Sequence, residues 1–287
     1  MLTTVLIGLS IGAVLLLVAA GLALAFGMLG VVNFAHGTLY MLGAFVAVEA
    51  VARSGSFVTG LLIAPLVIAA LAVAIEALLL RPLYEQSHEK QLLLTFGLLI
   101  LLDEVANAIW GLNYRHIQIP GFLSGQMEVL GEKLPVYRVF VIAAGALVAV
   151  VLVLMIDRTR IGMVLRAAMT HAQMVRGLGI SIARYRTAVF ALGGALAGLG
   201  GVIAAPLSPV QVNMGGTVIL DSFMVVIVGG LGNVRGAVAA AFALGLLRAF
   251  GQQYAVEYVD LLTYVLLVIV LLLRPQGLFN SPGARKA

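Results

Sequence analysis

Residues 157–186 read DRTRIGMVLRAAMTHAQMVRGLGISIARYR and hold six of the chain's seventeen Lys and Arg. Asp157 is the lone acid among them. Apolar stretches long enough to cross a bilayer flank this segment on both sides. Positive residues between spans resist translocation, so the segment reads as a cytoplasmic loop. Within it Ile161, Val164, Leu165, Ala168, Ala172, Val175 and Leu178 recur at three- and four-residue steps, while Arg166, Thr170 and Gln173 fall on the opposite face. That spacing predicts an amphipathic helix over 161–178, with Gly177 and Gly179 as its C-terminal stop. Such a helix either lies on anionic lipid or presents a docking element to a soluble partner.

The flanks set the class. Hydrophobic residues make up 62% of the chain, charged residues 10%, and the mean hydropathy is +1.14. A soluble domain carries about 25% charged residues, so that class is excluded. A span needs roughly 20 apolar residues, so 287 residues supply eight or nine spans with short loops and leave no room for a soluble domain. The expected fold is an all-α polytopic membrane protein, one transmembrane domain over 1–287 that contains the loop 157–186. The pI of 9.7 does not point to nucleic acid, because the basic residues sit at loops, where membrane orientation accounts for them. Cysteine is absent, which removes disulfides, thiol catalysis and cysteine metal sites. The N-terminal MLTTVLIGLSIGAVLLLVAAGLALAFG lacks a basic leader and is too long for a signal peptide's apolar core, so it reads as a retained span.

Apolar segments fall at about 3–26, 38–52, 57–80, 91–110, 138–156, 187–206, 218–232, 237–250 and 259–273. With 157–186 inside, alternation places 81–90, 233–236 and the tail from 274 inside, and the long loop 111–137 outside. Twelve Lys or Arg then lie inside and five outside, which puts the N-terminus outside and the C-terminus in the cytoplasm. The segments 38–52, 218–232 and 237–250 are each short for a span. Two follow similar Gly-rich breaks, Gly27-Met-Leu-Gly30 before VVNFAHG and Gly229-Gly-Leu-Gly232 before NVRG. Short, Gly-interrupted segments in corresponding places predict two loosely repeated halves with discontinuous helices beside a transport path. The path candidates are Asn33, His36, Gly37 and Thr38 at the first break and Gly232 and Asn233 at the second. Asp221 joins them, opening the segment 218–232. Their polar groups either line the path or satisfy backbone freed at the breaks.

Ionisable residues within spans are costly and often functional. Glu76, Glu49 and Arg248 lie near span ends, where snorkelling accounts for them. Asp103 and Glu104 lie deeper and suit structural pairing or polar lining better than a proton relay. A lone His36 makes no metal site. Gly193, Ala197 and Gly201, with Gly194 and Gly198, form a small-residue ridge for close helix packing. The sequence has no G-x-x-x-x-G-K-[ST] loop, catalytic triad, HExxH or catalytic carboxylate pair. The chain therefore cradles no ATP phosphates by a P-loop and has no catalytic residues to nominate.

Gly162 followed by Arg166-Ala167-Ala168, then Gly179-Ile180 and a Gly/Ala-rich span, resembles the coupling loop of ABC importer permeases. FGMLGVVNFAHGTLYMLGAFVAV at 26–48, QLLLTFGLLILLDEVANAIWG at 91–111, VVIVGGLGNVRGAV at 225–238 and LRPQGLF at 273–279 extend the likeness over nearly the whole chain. It is similar to the LivH-type permeases of branched-chain amino acid importers. Arg166 stands where the general importer pattern has Glu, and Thr170-His171-Ala172-Gln173 lacks the acids that often follow.

The resemblance implies ATPase coupling through Gly162, Arg166, Ala167, Ala168, Thr170, Gln173 and Gly179. It also implies two cytosolic ABC ATPase subunits that bind ATP and Mg, a second LivM-like permease, an extracytoplasmic substrate-binding protein and the surrounding lipid of the cell inner membrane. The expected cargo is Leu, Ile, Val or a related small amino acid or amide. A ribose/nucleoside-type ABC permease is the alternative within the same architecture, and an ATPase-independent secondary transporter is the alternative from another class.

Overall fold

The computed structural model describes residues 1–30, 32–129 and 131–279. Ten helices dominate it: α1 Leu2–Leu29, α2 Ala35–Ser54, α3 Phe57–Ile75, α4 His88–Trp110, α5 Val136–Arg158, α6 Arg160–Gly177, α7 Ile182–Ala204, α8 Met214–Gly229, α9 Val234–Tyr254 and α10 Val259–Leu273. Eight of them are long and apolar enough to cross a membrane, and α8 is a shorter apolar helix. The chain is thus a multi-pass membrane protein, with α6 set apart as an amphipathic helix too polar to cross the membrane. Two of the three segments read as short are full spans, because α2 and α9 begin earlier and end later than their apolar runs; α8, with 16 residues, alone stays short. The loop 111–137 holds one feature outside an all-α plan, an antiparallel hairpin of β1 Gln126–Val129 and β2 Glu132–Pro135.

Helices α1, α2 and α7 form the centre, and α3, α4, α5 and α10 show their outer faces. The small residues read from the sequence make this centre possible. A Cβ on Gly21 of α1 would meet the Gly193 Cα of α7 at 2.9 Å, and one on Gly43 of α2 would meet the Gly198 Cα at 2.5 Å. Water provides no hydrophobic drive between helices in lipid, so close backbone approach of this kind supplies the packing energy. Two ion-pair residues assigned to snorkelling face inward instead, one of them fully buried and the other half-buried. Glu76 is fully buried where α3 passes into a π-helical turn. It accepts from Arg81 at 3.0 Å, Tyr84 at 2.9 Å and Thr187 of α7 at 2.8 Å. Arg248 of α9 points back into the protein toward α8 rather than to an interface.

The contacts also sort the loops by end. One end gathers the α1–α2 break, the α5–α6 corner, α6, the α8–α9 turn and residues 274–279. The other gathers residues 1–4, the β-hairpin, the α4–β1 segment, residue 210 and the end of α9. There Glu132 takes hydrogen bonds from the Thr3 hydroxyl and backbone N–H, which hold its carboxyl below the usual range.

Candidate functional site

Helix α6 is built as its sequence foretold, with one interruption. Thr159 caps it, its hydroxyl oxygen accepting from the Gly162 N–H at 3.1 Å. Gly162 is buried against the backbone of Ile156, whose Cα a Cβ at this position would meet at 2.5 Å, so only glycine lets α6 fold back on the end of α5. His171 is non-helical, with φ −139° and ψ 67°, and kinks the helix. The expected apolar face is therefore only partly inward. Leu165, Ala168 and Val175 are buried and Val164 and Ala172 half-buried, but Ile161 and Leu178 are exposed. With Met163 and Met174 these leave a row of large apolar side chains facing outward. Met163 and Met174 fall outside the predicted apolar face, so its three- and four-residue spacing does not reveal them.

The candidate coupling residues divide accordingly. Ala167, Thr170 and Gln173 are exposed, and Thr170 returns its hydroxyl to the Arg166 carbonyl at 3.0 Å. Ala168 is buried, and Gly179 ends the segment in the left-handed region at φ 77°. Arg166 is not free: it donates to the Ile156 carbonyl and lies 3.8 Å from Asp157. Asp157 in turn receives Arg235 of α9, whose Nε is 3.2 Å away. One carboxylate thereby joins the end of α5, α6 and the start of α9. Beside it Leu24, Ile156, Leu165, Arg166, Gly232 and Asn233 help to line a cleft of about 260 Å³.

The two breaks are alike in form. Gly30 at φ 70° ends α1, and Gly230 and Gly232 at φ 101° and 77° follow α8. Such angles clash with any Cβ, which is why glycine recurs there. An asparagine then opens the next helix in both cases. The Asn33 Oδ1 accepts from the Ala35 N–H at 3.1 Å, and the Asn233 Oδ1 from the Gly236 N–H at 3.1 Å. Each satisfies a donor that a helix start leaves orphaned. Asn233 is thus a helix cap, tied also to the Phe279 carbonyl at 3.2 Å.

The remaining path candidates are buried. His36 Nε2 sits 3.1 Å from the Val18 carbonyl of α1, and the Thr38 hydroxyl donates to Asp103 of α4 at 3.3 Å. Gly37 packs on α8, where a Cβ would be 2.6 Å from the Ile219 Cβ. Asp221 lies mid-helix in α8 rather than at its start, since α8 begins at Met214. It accepts both guanidinium nitrogens of Arg248 at 2.5 and 2.6 Å. Asn33, His36, Gly37 and Thr38 thus cluster around the first break. Gly232 and Asn233 lie at the α6 end, and Asp221 is held apart in its own pair. Tyr84, which the sequence did not single out, has its hydroxyl pushed well above the ordinary range by burial and by Glu76 beside it.

The family model for the permease component of branched-chain amino acid transport systems matches residues 4–271 of the chain. The chain belongs to this family. It is 28% identical to the high-affinity branched-chain amino acid transport permease BraD of Pseudomonas aeruginosa, over 97% of this chain and 95% of that one. It is 27% identical to the corresponding LivH permease of Escherichia coli K12, over 97% and 95%. A probable LivH permease of Methanocaldococcus jannaschii is 27% identical over 92% and 88%. No solved structure matches. The family is one of transport components, which agrees with the eight membrane-capable helices and makes this a membrane permease.

Proposed function

We propose that this chain is the membrane-spanning half of an ATP-driven importer for Leu, Ile, Val or a closely related amino acid. The observation that carries the reading is α6. It is a basic helix with an outward row of Met and Leu, fixed through Asp157 to the turn that follows α8. Such a row suits a protein groove, and the basic residues around it support a cytosolic position for that end. The N-terminus then lies outside and the C-terminus inside. Two cytosolic ATPase subunits dock on α6 and hold the ATP and Mg; this chain holds no cofactor and catalyses nothing itself.

In this reading Ala167, Thr170 and Gln173 meet the ATPase surface, while Gly162, Arg166, Ala168 and Gly179 shape and anchor the helix. Closure of the ATPases moves α6, and Asp157 passes that motion to Gly232 and Asn233. The pathway runs along the breaks, past Asn33, His36, Gly37 and Thr38, between this chain and a second, LivM-like permease. Asp221 keeps α8 and α9 in register beside it. An extracytoplasmic binding protein delivers the amino acid, and the whole of 1–287, loop 157–186 included, acts as one transmembrane domain. The relatives named for branched-chain amino acid transport support this cargo over a sugar or nucleoside.

The test is reconstitution in proteoliposomes. The complete complex should hydrolyse ATP faster with loaded binding protein and accumulate leucine. Accumulation by the isolated chain under an ion gradient alone would overturn the reading.

A further inference from the structure

The four outer helices are not equivalent. The exposed faces of α3 (Val58, Leu62, Leu66), α5 (Leu147, Val150, Leu154) and α10 carry no charged residue between their end turns, as lipid requires. Helix α4 exposes a continuous ridge as well, formed by Leu93, Phe96, Ile100, Leu101, Val105 and Ile109. Exposed among them is Glu104, spaced four residues from Ile100 and eight from Phe96, so it sits on the ridge itself. Among the described residues it has no hydrogen-bond or ion-pair partner, whereas its neighbour Asp103 is turned inward to Thr38.

Depth makes this costly. Glu104 is six residues before the last residue of α4, Trp110, so its Cα lies about 9 Å inside that end. The Cα–Cβ bond of a helical residue leans toward the helix N-terminus. The carboxyl group is therefore aimed away from the nearer water, and a short Glu side chain cannot snorkel back. An ionisable group at such depth faces a bundle interior, a water-filled cavity or a partner rather than lipid. Phe96, near one end of the ridge, also meets Phe34 of the first break at a ring distance of 6.0 Å, so the ridge adjoins the candidate pathway.

We propose that the α4 ridge is the surface on which the second permease packs, and that this partner supplies a cation or hydrogen-bond donor to Glu104. The inference rests on the reading that the importer holds two permeases. It favours a non-identical partner. Two copies related by an axis along the membrane normal, packed ridge to ridge, would set two Glu104 carboxyls at one depth, where only protonation of one supplies a donor for the other. A related chain with a basic or amide side chain there completes the pair.

The test uses the whole complex, with distinguishable tags on the two permeases. A photocrosslinking residue at Leu101 or Val105 should join this chain to the second permease, while the same residue at Leu147 or Val151 of α5 should not. Glu104→Lys should cut the co-purified partner about tenfold or more while this chain stays at its normal membrane level. Glu104→Gln, which keeps a hydrogen-bonding end, should lose much less.

Crosslinks at α4 to a second tagged copy of this chain would overturn the choice of partner. Absence of α4 crosslinks in a complex that still contains the second permease would overturn the surface while leaving the importer intact. A purified, active importer without any second permease would overturn the reading beneath both. Loss of uptake in Glu104→Gln with crosslinks and co-purification unchanged would assign the carboxyl to the substrate path and overturn the pairing.

Discussion

Gly27 of α1 and Gly232 of the α8–α9 turn lie against each other: a Cβ on Gly232 would stand 3.1 Å from the Gly27 Cα. Met169 of α6 closes the same spot, since a Cβ on Gly27 would meet its Sδ at 3.0 Å. Both breaks and α6 therefore meet at one point of contact.

Bulk at this point should separate motion from assembly. Gly232 holds φ 77°, a conformation that costs an L-residue about 1–2 kcal/mol, and among the described residues only Gly27 crowds it. Gly232→Leu should leave much of the complex assembled. Uptake per assembled complex should fall by roughly five- to a hundredfold, the span of ordinary coupling energies. Transport at the wild-type level would remove this contact from the mechanism. Gly37→Leu should differ: it collides with Gly215 and Ile219 of α8 and should reduce the folded protein itself.

Asp157 offers a sharper test of coupling. Its partners Arg166 and Arg235 keep 48% and 68% of their side-chain surface exposed, so solvent limits each pair to about 0.5 kcal/mol of stability. Asp157→Asn should hardly shift the melting temperature, yet ATP hydrolysed per leucine imported should rise several-fold. An exchange of charges, Asp157→Arg with Arg235→Asp, should recover part of the ratio. An unchanged ratio in Asp157→Asn would show that the link transmits nothing.

The Asp221–Arg248 fork predicts the opposite balance. Its side chains retain only 10% and 19% exposure. Removing one partner of a buried pair strands the other and costs about 3–5 kcal/mol. Asp221→Leu and Arg248→Met should each lower thermal stability in detergent strongly, while the double substitution should recover most of it. Equal losses in singles and double would mean that packing, not charge, sets the cost.

The absence of native cysteine makes α6 readable by thiol labelling. Cysteines at Met163, Gln173, Met174 or Leu178 should react with a membrane-impermeant reagent from the cytosolic side and be shielded once the ATPases bind. A cysteine at Leu165, 2% exposed, should stay silent in both states. Reaction from outside would reverse the orientation.

At the opposite end, the Glu132 carboxyl is held below its usual range by Thr3. A depressed carboxyl stabilises its contact above the unfolded value of about 4.3 and loses that contribution as pH falls through the lower folded value. Amide exchange at Thr3 should therefore be slow near neutrality and quicken relative to Thr4 only in strong acid. Glu132→Gln should abolish that pH dependence.

The membrane class, a count of eight or nine spans and the basic loop with its amphipathic helix were legible along the chain alone. Each depends on local run length, charge or a repeat of three to four residues, and none needs a partner distant in sequence. The same reasoning marked Gly232, Asn33 and Asn233 as belonging to breaks, because positive φ and helix starts have residue signatures.

Tertiary structure decided the rest. Glu76 and Arg248 looked like interfacial residues until Thr187, 111 positions away, and Asp221, 27 positions away, were folded against them. The periodicity of α6 gave its length, but packing against the rest of the chain decided that Ile161 and Leu178 of its apolar set stay exposed. Periodicity reports that a helix has two faces. Only packing fixes how each helix is turned, and that rotation determines which polar groups meet, which glycines touch and which carboxyl group is left without a partner.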